Sequence, residues 1–258
     1  MSRPLILVSN DDGYRSEGIA ALRNAVASLG EVVTVAPKED QSATSHSLSL
    51  HRSLRHREVE PGLHMVDGTP ADCIYVGLFH PRILSRTPDV IISGINHGPN
   101  LGNDVHYSGT VAAAREGALR GIPSIAFSLV EGRRGLESAA EIASSMVARL
   151  LEAKFDQSAP LLNVNFPPEP RGVRTVQLGR RTYHDAVSVR NDPRGREYLW
   201  IGGPGPEPHE PFNGSDTEAV DAGYVSVTPL RVEVTHPDHL GLAAFVAGPE
   251  EPRDGESE

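Results

Sequence analysis

Leu5-Ile6-Leu7-Val8-Ser9-Asn10-Asp11-Asp12-Gly13, followed by Glu17 to Leu29 and then Val32 to Ala36, decides the fold. The first run is apolar without alternation, which suits a strand buried on both faces. The second sets Ile19, Leu22, Val26 and Leu29 at helical spacing, and the third is again unbroken and rich in β-branched residues. Strand, helix and strand in that order make a crossover unit. They predict an α/β protein with a Rossmann-like, mostly parallel sheet flanked by helices.

Working outward, Val90 to Ile92, Ser124 to Leu129 and Leu161 to Val164 repeat the unbroken pattern and predict further parallel strands. Helices are expected from Pro70, with Thr69 as N-cap and Asp72 in the first turn, from about Thr110 to Leu119, and from Leu136 to Lys154. After residue 166 the prolines 167, 168 and 170 break the rhythm. Val173 to Leu178, Ala186 to Arg190 and Glu197 to Ile201 then look like strands of an antiparallel piece, the last two joined by the turn Asn191-Asp192-Pro193-Arg194-Gly195. The expected division is an α/β core over 1–165, a β-rich region over 166–248, and an acidic tail over 249–258. Residues 202–216, rich in glycine and proline, are expected to form an irregular loop.

The chain has 258 residues, 38% hydrophobic and 22% charged, enough for one large domain or two small ones and unlike a disordered chain. Its 24 basic against 34 acidic residues give a formal charge of −10, which argues against a nucleic-acid polymer as partner. No apolar run approaches the roughly 20 residues of a membrane span, so neither a membrane partner nor a signal peptide is expected. One cysteine, Cys73, fits a reducing compartment, with the cytoplasm as default.

Open parallel sheets bind ligands beyond the carboxyl ends of their strands. Three polar clusters fall there. Ser9 to Gly13 puts two adjacent carboxylates after the first strand, where they repel unless a cation compensates. Their oxygens suit Mg²⁺ or Mn²⁺, although an isolated Asp-Asp-Gly is equally at home as a solvated turn with one Asp capping the next helix. Ser93 to Asp104 is a glycine- and asparagine-rich run in which Asn96 offers a carbonyl oxygen; alone it reads equally as a long connection. Ser108-Gly109-Thr110 precedes a helix, an anion site by its free N–H groups or simply Thr110 acting as N-cap. Their coincidence at strand ends describes a metal and phosphate site. Gln41 to Ser47 alone reads as a solvated loop, and His46, His97 and His106 as surface or hydrogen-bonding residues with acid–base chemistry as the alternative. The P-loop, the dinucleotide fingerprint after strand one and the nucleophile elbow are absent.

Together, Ser9-Asn10-Asp11-Asp12-Gly13, Ser42, Gly68-Thr69-Pro70 with Asp72-Cys73, Ser93-Gly94-Ile95-Asn96 to Gly102, Tyr107 to Ala114, Asn163 to Pro167 and Ser215-Asp216-Thr217 to Leu230 resemble the SurE survival-protein family. The resemblance runs from Pro4 to about Leu230. It implies a divalent-metal-dependent 5′-nucleotidase acting on nucleoside monophosphates, with 3′-nucleotidase and short-chain polyphosphate hydrolysis as further activities. It implies a metal held by Asp11, Asp12, Ser42 and Asn96, phosphate contacts from Asn10, Ser108, Gly109 and Thr110, and a homodimer or homotetramer formed through C-terminal segments. Asp11 is the expected catalytic residue, as base or as nucleophile. The rival reading from the residues is a non-catalytic phosphate sensor with a receiver-like acidic pocket.

Overall fold

A computed structural model describes residues 3–155, 158–181, 183, 186–202 and 212–248. The opening crossover forms as expected: β1 (Leu5–Ser9), α1 (Glu17–Val26) and β2 (Glu31–Pro37). An edge hairpin follows, β3 (His56–Glu60) and β4 (Leu63–Val66), and then α2 (Pro70–Phe79), β5 (Val90–His97), α3 (Gly109–Leu119), β6 (Ser124–Leu129), α4 (Leu136–Glu152) and β7 (Leu161–Phe166). The rest comprises β8 (Val173–Thr175), β9 (Val187–Asn191), β10 (Glu197–Ile201), α5 (Asp216–Asp221), β11 (Val225–Leu230) and α6 (Leu240–Ala247).

Nine strands form one sheet in the order β3-β4-β2-β1-β5-β6-β7-β11-β8. Strands β4, β2, β1, β5, β6 and β7 run parallel, β3 and β11 run against them, and β8 is parallel to β11. The unbroken apolar runs are explained by their two faces. Ile6 and Val8 pack with Ile19, Leu22 and Val26 of α1 and Ala143 and Val147 of α4. Leu5 and Leu7 pack on the opposite face with Cys73 and Ile74 of α2 and Ala113 of α3. At roughly 25 cal/mol per Å² of apolar surface buried, such double-sided strands are the main favourable contribution to the fold.

Three expectations need correction. Thr110 is not the N-cap of α3; Ser108 is, its Oγ accepting from the Val111 N–H at 3.0 Å. Neither aspartate of Asp11-Asp12 caps α1, because Ser16 does, accepting from the Ile19 N–H. The C-terminal strands do not make one antiparallel piece: β8 and β11 extend the main sheet, and only the β9–β10 hairpin stands apart, five residues paired across the foreseen turn. β11 was not assigned as a strand, although Gly223, at φ +80°, makes the turn before it. The reading also missed β3–β4, α5 and α6, and the 202–216 loop ends early because Asp216 already begins α5. Residues 203–211 and the acidic tail over 249–258 lie outside the described residues.

Candidate active site

Strand β1 sits between β2 and β5, and the chain reverses direction of growth there, so the crevice beyond β1 and β5 is the sheet's switch point. Asp11 and Asp12 follow β1 directly. From β5 comes Asn96, delivered by a bulge: Ser93 pairs with Ala126 but Asn96 with Ser128, one extra residue on the β5 side. Gly94, at φ +125°, allows that bend where a side chain would strain. Helix α3 begins at the same place.

Asp11 is 4% exposed and is held by that helix start. Thr110 Oγ1 donates to Asp11 Oδ1. Burial pushes the Asp11 carboxyl up to about 6; the Thr110 hydroxyl opposes this, and neighbouring Asp12 adds to it. Asp12 is also raised, chiefly by burial, with His97 pulling the other way; the His97 N–H donates to Asp12 Oδ2 at 3.3 Å. Gly109 is glycine for a local reason: a β-carbon there would lie 2.8 Å from Asp11 Cβ and 3.0 Å from Pro70 Cγ. Thus the first turn of α3 is occupied by a protein carboxylate, a feature invisible in the spacing of the motif.

A cavity of about 890 Å³ opens beside these groups, lined on one side by Asp11, Ser42, Asn96, His97 and Ser108. The structure therefore gathers Asp11, Ser42, Asn96 and Ser108 at one wall. Asn10, Gly109 and Thr110 are buried behind them. Asn10 Nδ2 donates to the Gly13 carbonyl at 3.0 Å and to Ser16 Oγ at 2.8 Å, so its amide hydrogens serve the turn, and Asn10 Oδ1 is left buried without a partner. Ser42 is exposed, its Oγ donating to Asp40 Oδ1 at 2.6 Å. Asn96 Nδ2 donates to the Gly98 carbonyl at 2.8 Å, which leaves its oxygen free to face the cavity. His106 is exposed and does not line this space.

The donor set suits a hard cation. Among the described residues neither Asp11 nor Asp12 has an ion-pair partner. Two partly desolvated carboxylates beside an unpartnered buried oxygen leave negative charge uncompensated. No group of three or more His, Cys, Asp or Glu side chains is placed to hold a metal among the described residues, so any further ligands must be neutral oxygens, as Ser42 and Asn96 are.

Residues that the motifs contain without an assigned role hold the far wall. Asn100, in the glycine-rich loop, donates its N–H to Asn165 Oδ1 at 2.8 Å, while its carbonyl accepts from Asn163 Nδ2 at 2.7 Å. Two fully buried asparagines at alternate positions of β7 were the available signal, since a core strand has no other use for them. Asp216 accepts from the N–H groups of Gly102 at 2.9 Å and Gly179 at 2.7 Å, joining the loop to the segment that brings Arg180, Arg181 and Tyr183 to the cavity. Asp104 then receives Arg181 and the Tyr183 hydroxyl.

The family described as "Survival protein SurE" matches residues 6–185. A protein called 5′-nucleotidase SurE from Sorangium cellulosum is 54% identical over 250 residues, covering 95% of this chain and 96% of that protein. One of the same name from Myxococcus xanthus is 51% identical over 242 residues, covering 91% of this chain and 89% of its own length. The crystal structure of the SurE protein from Aquifex aeolicus superposes with a TM-score of 0.83 at 39% identity, covering 95% of this chain and all of that one. With a switch-point site of matching fold and sequence identity sustained over nearly the whole chain, this protein belongs to the SurE family.

Proposed function

We propose that the chain is a divalent-metal-dependent phosphatase that hydrolyses nucleoside 5′-monophosphates to nucleoside and phosphate. The observation that carries the reading is buried Asp11 on the wall of a cavity large enough for a nucleotide, next to half-buried Asp12, with no ion-pair partner for either among the described residues. Relatives named 5′-nucleotidase at 54% and 51% identity support the substrate class. The same site gives short polyphosphates and 3′-nucleotides as secondary substrates.

Asp11, Asp12, Ser42 and Asn96 would hold Mg²⁺ or Mn²⁺. When bound, such an ion neutralises charge on the phosphoryl oxygens and makes a nearby water easier to deprotonate. Ser108, facing the cavity at the start of α3, receives the phosphoryl group, and the positive end of the helix favours it there. Gly109 and Thr110 act one step back, by leaving room for Asp11 and by fixing its rotamer, and Asn10 braces the turn after β1 through Gly13 and Ser16. Asp11 orients the attacking water and takes its proton as the new bond to phosphorus forms and the bond to the ribose oxygen breaks, the departing oxygen taking a proton from solvent to give the nucleoside.

We also propose a homo-oligomer, dimer or tetramer, formed through the C-terminal region over 166–248, with the α/β core over 1–165 carrying the site. Large apolar side chains stand exposed on the β9–β10 hairpin and on α6, Ile201 at 91% and Phe245 at 84% among them. A single buried cysteine and the absence, among the described residues, of a helix long and apolar enough to cross a membrane support a place in the cytoplasm.

Phosphate release from AMP is the test. Activity with added Mn²⁺ or Mg²⁺, lost in excess EDTA and restored by metal, is expected; no release from any nucleoside monophosphate with either ion overturns the reading.

A further inference from the structure

Helix α3 serves the cavity twice. Its first turn grips Asp11, and farther along Glu116, only 2% exposed, faces the loop over 40–50 that carries Ser42. Glu116 Oε2 lies 2.8 Å from His46 Nε2, while Oε1 accepts from Arg120 Nε at 2.9 Å and from Nη2 at 2.7 Å. Burial alone would raise this carboxyl, yet the bonds from His46 and Arg120 hold it below the usual carboxylate range. A buried charge so placed is costly to leave without its partners.

The loop it anchors is not relaxed. Ala43 and Ser45 adopt left-handed backbone, φ +57° and +54°, which non-glycine residues keep only where the surroundings fix them. Other ties come from the Gln41 N–H to the Asp11 carbonyl at 2.8 Å, the Ser45 N–H to the Tyr107 carbonyl at 2.9 Å, and Thr69 Oγ1 to the Ser47 carbonyl at 2.7 Å. These ties hold the strained pair and its flanks, and His46, next after Ser45, is the side chain that ties it to α3.

We infer that His46 is a positioning residue, whose bond to Glu116 clamps the left-handed 43–45 turn so that Ser42 stays at the Asp11 wall of the cavity. The inference rests on the reading of that wall as the hydrolytic site. A merely structural histidine would change melting temperature and leave kinetics alone.

The experiment compares His46→Ala, His46→Gln and Arg120→Gln by amide exchange over 41–50 without substrate, by Mn²⁺ titration calorimetry, and by AMP hydrolysis. His46→Ala should speed exchange in the loop, weaken Mn²⁺ binding several-fold and lower kcat/KM by about tenfold or more, because a small misplacement of a site residue is costly. Its fold should remain intact by circular dichroism. His46→Gln, whose amide reaches the place of Nε2, should recover most of the loss. Arg120→Gln removes the other partner of Glu116 and should leave loop exchange and turnover near those of the unchanged chain. Unaltered exchange and kinetics in folded His46→Ala, or an equal defect in Arg120→Gln, overturns the inference. Exchange over 41–50 reads the clamp directly, so an unchanged chain that fails to hydrolyse AMP would remove the nucleotidase reading and leave this measurement to stand or fall alone.

Discussion

The crevice at β1 and β5 and the C-terminal hairpin with α6 are incomplete in opposite ways. In the crevice, polar atoms are buried without partners among the described residues: Asn10 Oδ1, Ser9 Oγ and Ser93 Oγ make no hydrogen bond, and two adjacent carboxylates have no ion-pair partner. On the hairpin, apolar side chains are exposed: Val187, Val189, Leu199, Trp200 and Ile201, the last of them also at the edge of the cavity. Burying unpaired polarity is costly and is compensated by a ligand; exposing a broad apolar face is costly and is compensated by another chain. One deficit points to a small hard ion and an anion, the other to a second copy of the protein.

The strongest way to break the first half of this comparison is Asp11→Asn. It keeps the shape and the Thr110 contact but removes the charge and the proton acceptor, and should cut phosphate release by about 10³-fold while circular dichroism is unchanged. Turnover within a few-fold of the original would remove Asp11 from the chemistry. Next is Gly109→Val. Because even a β-carbon would lie 2.8 Å from Asp11 Cβ, the bulk displaces that carboxylate, and kcat/KM should fall by about 10²-fold with weakened metal binding. A folded Gly109→Val protein with normal turnover would show that Asp11 tolerates displacement.

The second half is sharpened by Leu199→Glu with Trp200→Glu. Placing charges on the exposed hairpin should raise the dissociation constant of the oligomer by about tenfold or more, read by light scattering or sedimentation, with little change in melting temperature of the dissociated chain. A strictly monomeric unchanged protein across micromolar concentrations would refute the assembly outright.

The sheet was legible because burial on both faces writes unbroken β-branched runs, and β6 and β10 fall within the bounds expected of them. Edge elements were not: β3 reads His-Arg-Glu-Val-Glu, half solvated, with nothing to separate it from a polar loop. Of the site, the strand-end position of Asp11, Asp12 and Asn96 followed from topology alone. Ser42 came only through family resemblance, since an exposed hydroxyl in a loop carries no periodic signal. Asp216 stood only inside a family motif, with no role assigned, because its use is to bridge the N–H groups of Gly102 and Gly179 from distant parts of the sequence. The division of labour in Ser108-Gly109-Thr110 was likewise hidden: a helix start looks the same whether it awaits a phosphate or holds an aspartate.

That last ambiguity yields the smallest expected effect. Ser108, not Thr110, caps α3, so Ser108→Ala should lower stability by about 1 kcal/mol as a lost N-cap does. Thr110→Val is nearly isosteric and removes only the hydroxyl that donates to Asp11. Because that bond lowers the Asp11 carboxyl against the upward push of burial, its loss must raise the carboxyl further above its ordinary value. If the reaction needs Asp11 ionised, the acidic limb of the pH profile of kcat/KM should then shift toward higher pH, with rates at alkaline pH reduced by only a few-fold. The direction is the test. An acidic limb that stays in place or moves to lower pH would mean that Thr110 does not govern the charge on Asp11, and that the helix start is kept for the phosphate alone.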